Sequence, residues 1–304
     1  MGKKILGDHT GRALGILLLL PALVSGHTGK PLQLDDLWSA WEFDWGVVTP
    51  LVVSAALYAR GSRKHFGLTR LQKLCFWFGW LSLILALLSP LHPLGEVLFS
   101  AHMVQHEILM LISAPLLVLS KPLVTFLWAL PIEWRRTLGR WSKENYVHRS
   151  WTFLTDPFTA WFMHAAAIWV WHIPVMFQLT LRSDLAHTAQ HVSFFGSGLL
   201  FWWAVFYARG RRAYGAAILY VFTTAIHTGI LGALLTFSPR IWYPAYVKTT
   251  PAWGLTPIED QQIGGLIMWV PATLVYLAAG LALCWAWMGE SDVLADRAAD
   301  ERVS

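Results

Sequence analysis

Long apolar runs separated by short polar clusters set the pattern of this chain. Stretches at 45–60, 72–90, 98–120, 157–175, 185–207, 214–237 and 262–288 are dominated by aliphatic and aromatic residues. Each comes close to the ~20 residues an α-helix needs to cross a bilayer. The run at 45–60 is the weakest, being short and interrupted by Pro50. Segment 122–134 is too short, and too polar at its end, to span, and it reads as an interfacial helix. Ahead of all these, MGKKILGDHTGR precedes ALGILLLLPALVSG, with Val24, Ser25 and Gly26 before His27. That order, basic then apolar then small, predicts a signal peptide or N-terminal anchor over residues 1–26. The expected fold class is all-α: a polytopic membrane helix bundle of about seven transmembrane helices. It occupies residues 27–289 and is followed by a charged cytoplasmic tail at 290–304.

The polar clusters predict an orientation. RGSRKHFGLTRLQK follows the first run, Arg135, Arg136, Arg140, Lys143 and Arg149 follow the third, and RGRR follows the fifth. The alternate loops, SPLHPLGEVLFS, IPVMFQLTLRSD and SPRIWYPAYVKTTPAWGLTPIEDQQ, carry far fewer basic residues. Basic loops stay on the cytoplasmic side, so the N-terminus is expected outside and the C-terminus inside. Composition agrees: 13% of residues are charged, against about 25% in soluble domains. The 19 tryptophans suit the aromatic belts of a membrane protein. The net charge of +5 is accounted for by the loops, so lipid is the expected surrounding and no nucleic-acid partner is called for. Two cysteines, Cys75 and Cys284, exclude a disulfide framework or a multi-cysteine zinc site.

Histidine carries the candidate chemistry. His102 and His106 open the third run four residues apart, and His187 and His191 repeat that spacing in the fifth. A spacing of four puts both imidazoles on one helical face, near enough to share an ion. The predicted orientation adds His164 and His172 from the fourth run, His227 from the sixth, and Asp260 at the start of the seventh. All of these fall in the outer half of the membrane. Ionisable groups within spans are costly and usually face the bundle interior or a cavity. The pattern therefore predicts a metal site facing outward, bound more weakly below ~pH 6.5 as imidazoles protonate. Imidazole suits zinc, copper, iron and nickel. Met103, Met110, Met163 and Met268 near the same depth would favour Cu(I) if they point inward. Glu107 and Asp260 could each hold a neighbouring group instead of a metal; for Asp260 the alternative is capping the seventh helix. His92 lies in an outer loop and reads as a surface residue, the alternative being that it hands metal inward. No nucleophile elbow, zinc-protease motif, phosphate loop or dinucleotide fingerprint occurs, so nothing argues for an enzyme.

SAHMVQHEILMLISAPLLVL, HIPVMF, AHTAQHVSF, GLLFWW, YPAY and DQQIGGLIMWVPA occur in that order. Together they resemble the CtaG family of cytochrome c oxidase assembly factors, the seven-span membrane family, over roughly residues 45–290. The resemblance implies a bacterial inner-membrane protein needed to mature haem–copper oxidases by handling copper. Its partners would be the oxidase subunits and other copper chaperones. The matching positions are His102, His106, His187, His191 and Asp260. Low-coordinate Cu(I) presented from the periplasmic face is the expected cargo. Two alternatives stay open: a haem-binding electron-transfer protein with axial histidines from two helices, and a metal or proton transporter. A transporter would want polar residues continuing to the inner side, where LISAPLLVL at 111–119 is apolar.

Overall fold

Polar caps mark where the apolar runs become helices. In this computed structural model, which describes residues 32, 34–207 and 211–303, side chains are described for 32, 35–207 and 214–289. The expected leader at 1–26, His27, and the side chains of RGRR and of the tail at 290–304 lie outside the described residues. Asp44 accepts from the Gly46 N–H to start α1 (Trp45–Ser62), and Thr69 and Gln72 form a reciprocal capping box at the start of α2 (Arg70–Leu87). The chain continues through α3 (Leu91–Val97), α4 (Phe99–Leu119), α5 (Pro122–Ala129), α6 (Ile132–Trp141) and α7 (Asn145–Leu154). It ends with α8 (Pro157–His172), α9 (Pro174–Thr180), α10 (Asp184–Phe206), α11 (Arg211–Thr236) and α12 (Pro257–Val303). Two short 3-10 turns, Pro244–Lys248 and Thr250–Trp253, lie between α11 and α12. No strand occurs among the described residues.

A long helix lies on each of the seven apolar runs, but the helices differ in what they can cross. α2, α4, α12 and the Tyr214–Thr236 part of α11 are long and apolar enough to span a membrane. α8 and α9 qualify only as a pair, bent by 82°. The bend falls at Ile173, whose extended backbone is what a following proline demands. α1 and α10 have the length, at 18 and 23 residues, without the apolar composition. By length and composition four helices qualify among the described residues, or five with the bent pair, and α1 and α10 lie on the two remaining runs of the seven expected. α10 falls short because its opening turns carry Asp184, His187, Gln190 and His191, where the candidate site is built. Segment 122–134 resolves into α5 and the start of α6, broken at Pro131.

Close packing ties the second half together. A Cβ on Gly232 would lie 2.8 Å from the Gly265 carbonyl oxygen, and one on Gly265 would lie 2.7 Å from that of Gly232. The α11 and α12 backbones can thus meet only through glycine. On the other side of α12, Leu266, Val270, Leu274, Leu277 and Leu281 form an outward stripe, 44% to 63% exposed. Such a stripe is costly in water and at home in lipid. Inside, Phe99, Phe177, Phe194, Phe201, Trp202 and Tyr276 pack as one buried core.

Candidate metal centre

α4 positions the first pair of histidines, and α12 holds α4 in place. The first turn of a helix leaves its N–H groups without partners, and α4 has no side-chain cap of its own. Asp260 supplies one from α12: its carboxyl accepts from the Phe99 N–H at 2.7 Å, the Ser100 N–H at 3.0 Å and the Ser100 hydroxyl. Beyond Glu107, α4 winds as a π-helix over Ile108–Ser113. There the Met110 carbonyl accepts the Trp202 indole N–H at 2.8 Å. Such π segments occur often at functional sites. α3 and α4 are joined by the single extended residue Leu98, which brings α3 back alongside the His102 face.

The two pairs meet as the sequence predicts. His102 and His106 ring centroids are 4.3 Å apart, as are those of His187 and His191. Across the helices, His102 lies 5.4 Å from His187 and His106 lies 5.5 Å from His191. His172, at the end of α8, lies 6.4 Å from His106. Ligand nitrogens of His102, His106 and His191 all fall within 4.8 Å of one another. Three nitrogens around one ion at about 2.0–2.1 Å are about 3.5 Å apart, so small side-chain movements close the set.

Hydrogen bonding favours ligation. His106 is 1% exposed, and neither of its ring nitrogens has a hydrogen-bond partner. Leaving a buried polar atom unsatisfied costs about 1–3 kcal/mol, which an ion would offset. The His191 and His172 Nε2 atoms are also buried without partners. His172 Nδ1–H donates to the Ile168 carbonyl at 2.7 Å, which leaves Nε2 with the lone pair. His102 Nδ1 lies 3.3 Å from the Gly95 carbonyl and its Nε2 lies 3.2 Å from Gln190 Oε1, and the neutral ring donates to one of these two oxygens. When Nε2–H donates to Gln190 Oε1, that bond orients the ring and leaves the Nδ1 lone pair for an ion. Gly95 also accepts from the Tyr246 hydroxyl at 2.9 Å. Burial first, then the nearby Asp260, Tyr243 and Glu96, hold that hydroxyl well above the usual tyrosine range, so it stays a donor.

The structure divides the other predicted residues. His164 and His227 stand apart and belong to none of the three-residue sets among the described residues. His164 Nδ1 lies 3.0 Å from the Ser197 hydroxyl, and its ring stacks on Phe201. His227 Nδ1 accepts the Trp169 indole N–H at 3.3 Å. The sequence leaves open whether these two join the paired histidines; here their rings do not converge with them, because equal depth does not turn side chains toward a common point. Asp260 is occupied with the α4 terminus, capping a different helix from the one expected. Met103, Met110 and Met268 pack in the apolar core, while Met163 is 37% exposed. The electrostatic neighbour of Glu107 is Tyr276 on α12, not a clustered histidine. His92, expected at the surface, instead joins the cluster, 5.1 Å from His187 and 5.9 Å from His191. No spacing in the sequence signals this, because His92 arrives on a separate short helix.

A family model described as cytochrome c oxidase caa3 assembly factor matches residues 54–290. Among curated proteins, uncharacterised proteins of Mycobacterium bovis and Mycobacterium tuberculosis are each 27% identical over 279 residues, covering 88% of this chain and 42% of theirs. One from Mycobacterium leprae is 26% identical over 293 residues, covering 89% of this chain and 43% of its own. The chain thus spans about two fifths of the length of these relatives. No solved structure matches.

Proposed function

The chain belongs to the cytochrome c oxidase caa3 assembly factor family, and from that premise we propose that it binds copper as Cu(I) through its clustered histidines and delivers it to the haem–copper oxidase. The buried set His102, His106 and His191 holds the ion, with His172 at its edge and Gln190 orienting His102. Neutral imidazoles in a low-coordinate arrangement bind Cu(I) well while leaving a coordination position for hand-over. The bundle lies in the bacterial inner membrane with seven spans, its N-terminus outside, and the cluster facing the periplasm where an oxidase subunit can receive the metal. Alternation of basic loops supports that orientation.

The observation that carries this reading is His106, sealed among histidines with both nitrogens unpartnered. Crowding supports a small ion over haem: across the two helices the facing rings lie only 5.4 and 5.5 Å apart, which leaves no slot for a macrocycle between them. The test is metal analysis of the full-length protein purified in detergent. Copper is expected in the native protein and absent from the His106→Ala/His191→Ala double variant. Equal copper in both would sink the assignment.

A further inference from the structure

The cluster holds more histidine than one ion needs, and its nitrogens sort into two sets. His102, His106 and His191 form one; His92, His187 and His191 form the other, each with its ligand atoms within 4.8 Å of one another. His191 belongs to both. The rings are stepped between them: His92 stacks on His187 at 5.1 Å and 9°, and His187 stacks on His102 at 5.4 Å and 18°. Exposure separates the sets. His102 and His106 are 0% and 1% exposed. The His92 side chain is 20% exposed, with its Nε2 3.7 Å from the Glu42 carboxylate, itself 47% exposed.

We infer that copper occupies two alternative positions joined by His191: a surface position on His92, His187 and His191, and a sealed position on His102, His106 and His191. This rests on the reading of the cluster as a copper site. The ion is captured and released at the surface position, beside the Glu42 carboxylate that favours a cation. It moves between positions by ligand exchange, giving up His92 and His187 as it gains His102 and His106, while His191 stays bound. Charge and oxidation state do not change, so no oxidant or reductant is required. Because both positions need His191, each chain carries one ion. His92 is able to take part: its Nδ1 accepts from the Gln105 amide at 2.9 Å, and that amide also donates to the Ala86 carbonyl at 2.6 Å. Gln105 therefore keeps a partner when His92 turns to a metal.

The experiment loads the full-length protein in detergent with Cu(I) alone and follows transfer to a Cu(I) chelator in stopped flow. The native protein should hold one ion per chain. His92→Ala should slow both loading and release by at least about tenfold, the low end of what a lost neighbour of a metal site costs. His106→Ala should still take up one ion at the surface position and release it at least about tenfold faster. Opposite kinetic signatures from two buried-cluster substitutions are not what general loosening of the fold produces. His92→Gln serves as the second variant if His92→Ala does not elute as folded protein, and the same slowing is expected. Native rates in the His92 variants, no ion on His106→Ala, or two ions per native chain would overturn the two-position arrangement. A native protein that takes up no Cu(I) would instead overturn the copper reading itself, before any variant is compared.

Discussion

Two groups of histidines lie in this bundle, and they differ in what their nitrogens meet. His164 and His227 are held singly, one against a serine hydroxyl and an aromatic face, the other by a tryptophan N–H. His102, His106, His187 and His191 turn their rings toward one another across α4 and α10, with His92 and His172 at the edges. Placement along the long helices is common to both groups. Convergence is what separates a candidate site from two packed side chains, and it is set by the elements behind the rings. Asp260 fixes the start of α4 from α12, and the proline-driven bend brings His172 and Phe177 over the cluster.

The contrast is open to direct attack. The largest effect is expected from His191→Ala, which removes the histidine common to both ligand sets; copper content of the purified protein should fall to background, and retention would erase the distinction between the groups. Gln190→Leu takes away the neighbour of His102 and should weaken Cu(I) affinity about 10–100-fold in chelator competition, with the protein still loading at high copper. Asp260→Ala leaves the α4 N–H groups uncapped and should destabilise the protein by about 1–3 kcal/mol, seen as a lower thermal midpoint. At the small end, His164→Ala with His227→Ala should lower thermal stability by about 0.5–3 kcal/mol while leaving copper content at the native level. A loss of copper there would return both residues to the site and break the comparison.

Much of this was legible without coordinates. The i, i+4 pairs in AHMVQHE and AHTAQH predicted two imidazoles on each of two helix faces, because helical periodicity is local and needs no partner. The apolar runs predicted the long helices, since a membrane helix satisfies its backbone within itself. Motif order along the chain also pointed to the family. Where a histidine's ring points relative to another helix is not local. His164 and His172 lie on one helix, eight residues apart, yet only His172 reaches the cluster. His92 looked like a loop residue because Leu98, a single extended linker, folds α3 back onto α4. Asp260 reads equally as a metal-site residue and as a cap for its own helix, and in the structure it caps α4, roughly 160 residues away in sequence. The sequence by itself determined helices, histidine spacing and family. The tertiary structure alone decided which nitrogens share a point in space, because ligand convergence depends on how separate helices cross, and that is fixed by packing between residues far apart in the chain.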